Sequence, residues 1–118
     1  MSGIFGIVTF IDEPPDLDRL ERMATAMQPW GRDAITTSAR DGAAFGQALT
    51  RSTPEDVHTR MPAAWDEAGV LFTAAGRLDN RDDLLAELGI APADAPALTD
   101  TDVMLRAFRR WGEECAPR

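Results

Sequence analysis

The chain has 118 residues, the size of one domain, so we expect a single hydrophobic core. Its 12 basic and 20 acidic residues give a net charge of −8, which excludes the basic face that nucleic acids and anionic membranes require. All basic residues are arginine, and there is one cysteine (Cys115) and one histidine (His58). This composition excludes a catalytic lysine, an internal disulfide and a metal site of several Cys or His ligands.

Nothing in the sequence indicates a membrane or an export signal. No stretch approaches the roughly 20 apolar residues of a membrane span. The N-terminal residues also lack the basic segment of a secretory signal. We therefore expect a cytoplasmic protein that binds neither nucleic acid nor membrane.

The first elements in chain order are a strand and a helix. The continuous apolar run Ile4–Ile11 predicts a strand that is buried on both faces, with Ser2 at the edge of the buried sheet. Asp16 is predicted to cap the helix that follows. The apolar face of that helix comprises Leu17, Leu20, Met23, Ala24 and Met27.

The middle of the chain predicts a hairpin and a further strand. Segments 34–39 and 43–50 flank Arg40-Asp41-Gly42, and an Asp-Gly pair favours a tight turn because glycine tolerates a positive φ. Segment 52–64 is polar and proline-containing, and we expect a loop or a sheet edge there. The apolar run Val70–Ala75 predicts a second buried strand.

The last part of the chain predicts two helices. Asn80 is expected to cap a short helix that ends at Gly89, and a Pro/Ala-rich linker, 91–98, follows it. Thr99 and Asp102 have the spacing of a capping box at the start of the last helix. The apolar face of that helix comprises Val103, Met104, Ala107, Phe108 and Trp111. The order of elements predicts an α+β fold with a mostly antiparallel sheet and flanking helices.

The N-terminus carries the first candidate for catalysis. Removal of Met1 would leave Ser2 with its hydroxyl beside a free α-amine, a known pairing of nucleophile and base. Many proteins begin with Met-Ser, so an ordinary processed terminus is the alternative. No Gly-x-Ser-x-Gly elbow, calcium-loop spacing or Gly-rich phosphate loop accompanies it.

Three separated segments resemble the glutamine-dependent asparagine synthetases. The opening Met-Ser-Gly-Ile-Phe-Gly resembles their Met-Cys-Gly-Ile-Phe-Gly, and residues 75–81 are similar to their Asn-Gly-Glu-Ile-Tyr-Asn-His stretch. Residues 99–103, followed by Trp111-Gly112, resemble their Ser-Asp-Thr-Glu-Val segment and its Trp-Gly. The three matches span the chain in the same order and spacing as in the family.

The resemblance implies a class II glutamine amidotransferase domain of the N-terminal-nucleophile type, an αββα sandwich. Such a domain releases ammonia from glutamine for a second domain that uses ATP. We expect residues 1–118 to form one amidotransferase-like domain, incomplete at its C-terminus and separated from its synthetase domain. That synthetase domain is the implied partner and the implied site of ATP and magnesium, with no cofactor in this chain.

At the catalytic positions, this chain has other residues than those of the family. The nucleophilic cysteine of the family corresponds to Ser2, and the asparagine of its oxyanion hole corresponds to Ala75, which has no side-chain donor. Gly76 still offers a backbone N–H for that role.

Substrate binding is altered as well. The glutamate of the family becomes Arg77, and the arginine that holds the glutamine carboxylate falls near Ala48, with Arg51 displaced by several residues. Among the substrate-binding positions, Asp100, which would hold the α-amine of glutamine, matches outright.

These losses favour a degenerate amidotransferase domain of an enzyme that forms amides without ammonia. β-Lactam synthetases and lasso-peptide cyclases are two such groups, and residues 76–81 with Trp-Gly-Glu-Glu-Cys are most similar to the bacterial lasso cyclases. The alternatives are a working glutaminase that uses Ser2 and a non-catalytic module that binds a precursor peptide. An open sheet edge would allow a homodimer.

Overall fold

The computed structural model describes residues 2–117, and the contacts of the chain divide it into two compact units. Unit 1 comprises Met1–Ser52 and Arg60–Ala75, and unit 2 comprises Thr53–Thr59 and Gly76–Arg118. Each unit has its own cluster of buried apolar side chains, where the length of the chain predicted a single core. The two units are therefore described separately.

Unit 1 contains two antiparallel sheets and one helix. Three strands form the first sheet in the order β1-β3-β2, and two short strands, β4 and β5, form the second. Helix α1 packs against β1 and β3. The elements are β1 (Gly3–Val8), α1 (Leu17–Ala26), β2 (Ala34–Arg40), β3 (Ala43–Leu49), β4 (Ala63–Trp65) and β5 (Val70–Phe72).

Strand β1 is shorter than predicted and is covered on one face. Phe5 is buried against α1 and Ile7 packs beside it, whereas Ile4 and Val8 on the opposite face are exposed. Phe10, inside the predicted strand, lies beyond β1 and is almost fully exposed. The prediction of a strand over residues 4–11 buried on both faces is wrong, because α1 covers only the Phe5 side.

Helix α1 begins at its predicted cap. The Asp16 side chain accepts a hydrogen bond from the backbone N–H of Arg19 at 2.9 Å, as an N-cap residue should. Leu20 is buried with Phe5 and Ala44 in the core of unit 1. Leu17 was predicted to lie on the inward face but is exposed, so the buried stripe begins one turn later.

The predicted hairpin is confirmed, with a different backbone reason for its turn. Strands β2 and β3 pair antiparallel from Ala34 opposite Leu49 to Arg40 opposite Ala43. Asp41, not Gly42, has the positive φ of 48°. A Cβ on Gly42 would lie 2.9 Å from the Thr9 hydroxyl oxygen, so glycine is required here for close approach.

A second hairpin replaces part of the predicted loop. Strand β4 begins at Ala63, within the segment 52–64 that was predicted to be a loop or edge, and β5 ends at Phe72, three residues before the predicted end. Trp65 pairs with Val70, and Gly69, with a φ of 64°, closes the turn between the strands. The short apolar stretch around Trp65 is too brief to give a strand signal in the sequence.

Glycine in the centre of β3 is required by the ring of Phe5. A Cβ on Gly46 would lie 2.2 Å from the Phe5 ring. We expect Gly46→Ala to lower the free energy of unfolding of unit 1 by about 1–3 kcal/mol, measured by urea titration. Gly76→Ala is the control, because its Cβ would meet Met104 Cε at an ordinary 3.4 Å. Equal stability of the Gly46 variant and the wild type would refute this packing.

Unit 2 is built on two helices, α2 (Arg81–Glu87) and α3 (Asp100–Trp111). Asn80 is the N-cap residue of α2 as predicted, although its side chain makes no capping hydrogen bond. The predicted capping box of α3 is confirmed, because Thr99 Oγ1 accepts from the Asp102 N–H and Asp102 Oδ2 accepts from the Thr99 N–H. The buried core of the unit comprises Leu84, Leu85 and Val103.

These elements define an α+β fold with antiparallel sheets and flanking helices, the predicted class. Within residues 2–117, no helix combines the length and the apolar character needed to cross a bilayer.

Candidate functional site

The residues predicted to form the site are divided between the two units. Ser2 and Ala75 belong to unit 1, whereas Gly76, Arg77 and Asp100 belong to unit 2. Their surroundings within each unit show which of them keep a free functional group.

The Ser2 hydroxyl is hydrogen-bonded to the backbone of Thr50, the residue that follows β3. Its Oγ donates to the carbonyl of Thr50 at 3.1 Å and accepts from the N–H of Thr50 at 3.0 Å. The hydroxyl proton is thus directed to a carbonyl, which cannot remove it as a general base would. Met1, whose removal would free the α-amine of Ser2, lies outside the described residues.

The end of β3 is fixed by a second set of hydrogen bonds. Thr50 Oγ1 donates to the Trp30 carbonyl at 2.7 Å and accepts from the Arg32 N–H at 3.2 Å. The Arg51 N–H donates to Asp33 Oδ2 at 2.7 Å. Residues 30–33 therefore hold the chain that follows β3 in place.

The position expected to hold an arginine for the substrate carboxylate has no room for one. Ala48 is 0% exposed and lies opposite Gly3 in β1 and Ile35 in β2. A Cβ on Gly31 would lie 3.0 Å from the Ala48 Cβ, so the backbone at Gly31 already packs against this methyl. Arg51, the displaced arginine, is exposed at the surface.

A buried glutamine holds the segment that leads to Ala75. Gln47 in β3 is 2% exposed, and its Nε2 donates to the Ala74 carbonyl at 2.7 Å. Ala75 follows directly, and its methyl offers no donor to an oxyanion. Gln47 is not among the residues predicted for the site, although a lone amide among small and apolar strand residues indicates a buried hydrogen bond.

Each carboxylate oxygen of Asp100 accepts a hydrogen bond within unit 2. Its Oδ2 accepts from the Leu78 N–H at 2.9 Å, and its Oδ1 accepts from Arg81 Nη1 at 2.7 Å. Both partners of this ion pair have side chains that are 22% exposed. The carboxylate that resembles the ammonium-binding group of the family thus already holds a cation.

Arg81, which was not predicted as a site residue, makes further hydrogen bonds besides the one to Asp100. Its Nη2 also donates to the carbonyls of Ala95 and Leu98, at 3.0 and 2.7 Å. A cation in the first turn of α2 is disfavoured by the helix dipole, and the Asp100 carboxylate compensates for it. In the sequence, this pair is indicated by an arginine at the start of one helix and an aspartate at the start of the next.

Gly76 and Arg77 lie at the surface of unit 2. Gly76 is exposed. The exposed Arg77 side chain pairs with Asp79 at 3.5 Å, and ion pairs between two exposed side chains contribute about 1 kcal/mol or less. Neither residue is held in a buried, polar setting that would orient it toward a reacting group.

Unit 2 also contains a cavity of about 410 Å³. Apolar side chains, among them Leu78, Leu84 and Met104, form most of its wall, and Asp79 and Asn80 are its polar lining residues. None of the predicted site residues lines it. Among residues 2–117, the lining provides one carboxylate, Asp79, and no cationic side chain that would bind the carboxylate of a free amino acid. Within residues 2–117, no group of three or more His, Cys, Asp or Glu side chains could hold a metal ion.

Comparison with known families assigns the chain. The family model of the glutamine amidotransferase domain matches residues 1–118, the whole chain, and the protein belongs to that family. No curated protein and no solved structure matches the chain. The α+β architecture with antiparallel sheets and flanking helices agrees with this family.

Proposed function

We propose that this chain is a glutamine amidotransferase domain that does not hydrolyse glutamine. In this proposal it is the non-catalytic N-terminal domain of an ATP-dependent, amide-forming enzyme related to the asparagine synthetases. The observation that carries the proposal is the Asp100 carboxylate, whose two oxygens are taken by Arg81 and the Leu78 N–H. A carboxylate whose charge is already balanced by an arginine attracts the ammonium group of a free amino acid less strongly than a free one does.

Other groups needed for hydrolysis are also missing from their positions. The Ser2 hydroxyl is hydrogen-bonded to the Thr50 backbone, and the Ala75 side chain cannot donate to an oxyanion. The loss of one oxyanion donor typically costs ~10²–10³ in rate. Without an arginine at Ala48, the substrate carboxylate loses a bidentate partner and with it the positioning that hydrolysis requires. The missing oxyanion donor affects the chemical step and the missing arginine affects substrate positioning, so the two losses reinforce one another.

The resemblance to the lasso-peptide cyclases supports a macrolactam-forming parent enzyme. There, a synthetase domain would use ATP and magnesium to activate a side-chain carboxylate, and an internal amine of the precursor peptide would attack it. We assign ATP and magnesium to that domain and no cofactor to this chain. The synthetase domain and the precursor peptide are then the expected partners of the domain described here.

The decisive experiment is a glutaminase assay on the purified chain. We expect glutamate release from glutamine at the background rate, and the same rate for Ser2→Ala. We expect Ser2→Cys to remain equally inactive, because a better nucleophile restores neither the oxyanion donor nor the groups that would bind the carboxylate and the ammonium of glutamine. Steady turnover that Ser2→Ala abolishes would instead establish a working glutaminase with Ser2 as its nucleophile.

A further inference from the structure

We propose that Asp41 is a modification site, where the Gly42 nitrogen closes a succinimide ring on the Asp41 side chain and water opens that ring to isoaspartate. Asp41 is the one aspartate in the sequence that precedes a glycine. The nitrogen of a glycine is the least hindered nucleophile that a backbone offers, because glycine has no Cβ. The reacting groups all belong to one turn of unit 1, so the site is independent of the proposed function.

The backbone of this turn already has the geometry that the ring requires. Asp41 and Gly42 join β2 to β3, and the residues on either side of them, Arg40 and Ala43, are paired. Asp41 has a φ of 48° and Gly42 has no positive φ, which is the combination of a type II′ turn. In such a turn ψ of the first residue is about −120°, which eclipses its Cβ with the following nitrogen. Closure of a five-membered ring through Cβ, Cγ and that nitrogen needs the same eclipsed arrangement.

Both reacting groups are available. The Asp41 side chain is 89% exposed, and Arg40 Nε lies 3.7 Å from Asp41 Oδ2, which is beyond the length of a hydrogen bond. Thr9 holds the Gly42 carbonyl, to which its N–H and its hydroxyl donate at 2.7 and 2.9 Å. Within the part of the chain that the structure describes, the Gly42 N–H donates to no acceptor. The nitrogen is therefore free to attack, while the rest of its peptide group is held in place.

The reaction consumes and releases only water. The Gly42 nitrogen attacks Cγ of the protonated Asp41 carboxyl group, and the hydroxyl of that group leaves with the N–H proton as one water molecule. A second water molecule then cleaves one C–N bond of the ring. Cleavage at the former main-chain carbonyl restores a carboxyl group there and leaves Gly42 joined to the Asp41 side chain, which is isoaspartate. Cleavage at Cγ returns aspartate.

Isoaspartate lengthens the turn, because the Cβ of Asp41 then becomes part of the backbone. The turn has little space for an additional carbon, since even a Cβ on Gly42 would lie 2.9 Å from the Thr9 hydroxyl oxygen. A two-residue turn lengthened in this way cannot keep both the Arg40–Ala43 pair and the Thr9 hydrogen bonds to Gly42. We therefore expect the modification to release Thr9, the residue that follows β1, from the hairpin.

Peptide mapping by electron-transfer mass spectrometry tests the site, because it distinguishes isoaspartate from aspartate at equal mass. After incubation of the folded chain at mildly acidic pH, which supplies the protonated carboxyl group, we expect isoaspartate at Asp41 and none at Asp12. Asp12 is the internal control, because it is also exposed, but the Glu13 N–H that follows it donates to the Ile11 carbonyl at 2.7 Å. Asp41→Asn should form the same ring at neutral pH with loss of ammonia, because an amide needs no protonation to become uncharged.

Hydrogen exchange tests the effect on the hairpin. The Thr9 amide should lose its protection in the modified wild type and keep it in Asp41→Gly after the same incubation. Asp41→Gly is the matched control, because it removes the carboxyl group and places glycine at the position of a type II′ turn that favours it. An unmodified Asp41, isoaspartate that forms only in urea, or equal isoaspartate at Asp12 would overturn the proposal. A modified chain that keeps Thr9 protected, or an Asp41→Gly variant that loses it, would also contradict it.

Discussion

Ala48→Arg is expected to prevent unit 1 from folding, although it restores the residue type that the asparagine synthetases have near this position. Ala48 is 0% exposed in the middle sheet strand, and Gly31 packs directly against its methyl. An arginine here would overpack the core and place an unpaired cation among apolar groups. We expect a loss of about 4 kcal/mol or more in the free energy of unfolding, the range reserved for such severe core changes.

Amide hydrogen exchange would localise this effect. Peptides from β1 and β3 should lose their protection in Ala48→Arg. The matched control is Ala39→Arg, the same substitution at an exposed position in β2, which should keep wild-type protection. A folded Ala48→Arg variant with native protection would show that the strand can make room for a guanidinium. In that case the substrate-binding arginine could be restored in one step, contrary to the packing described for Gly31.

The elements governed by local chemistry were predictable from the sequence. The Asp16 cap of α1, the Thr99–Asp102 capping box and the hairpin around Asp41 all depend on groups only a few residues apart. Side-chain acceptors within three residues of a helix start, and turn residues between two strands, determine such features with little help from the rest of the chain.

Which face of β1 another element covers could not be predicted, because it depends on residues far away in the sequence. The apolar residues from Ile4 to Ile11 indicate a strand, but their identities do not say which faces another element will cover. That depends on α1, which packs against Phe5 and leaves Ile4 and Val8 exposed. An apolar run with one uncovered face looks the same in the sequence as one buried on both.

The candidate site shows the same limit. Comparison of motifs identified Asp100 as a matching residue, but could not show that Arg81, 19 positions earlier, binds it. Asp100 therefore matches the family in residue type, while its carboxylate is already paired with an arginine. Whether Asp100 is available depends on a contact between the starts of two helices, which only the folded unit reveals.

Arg81→Ala is the substitution in unit 2 for which we expect the largest effect. It would remove the cation from Asp100 and leave the Ala95 and Leu98 carbonyls without their donor. Hydrogen bonds to charged groups contribute about 1.5–3 kcal/mol each in net terms, and partial exposure lets water replace some of this. We expect the free energy of unfolding of unit 2 to fall by about 2–3 kcal/mol.

Arg77→Ala is the control for this variant, since it removes an arginine from the exposed pair with Asp79. It should change the stability by about 0.5 kcal/mol or less. A double-mutant cycle of Arg81→Ala with Asp100→Asn isolates the pair itself, and we expect a coupling energy of about 1–3 kcal/mol. Zero coupling would mean that the Asp100 carboxylate is not committed to Arg81. A substrate ammonium could then compete for it, and Asp100 would no longer count against glutamine binding.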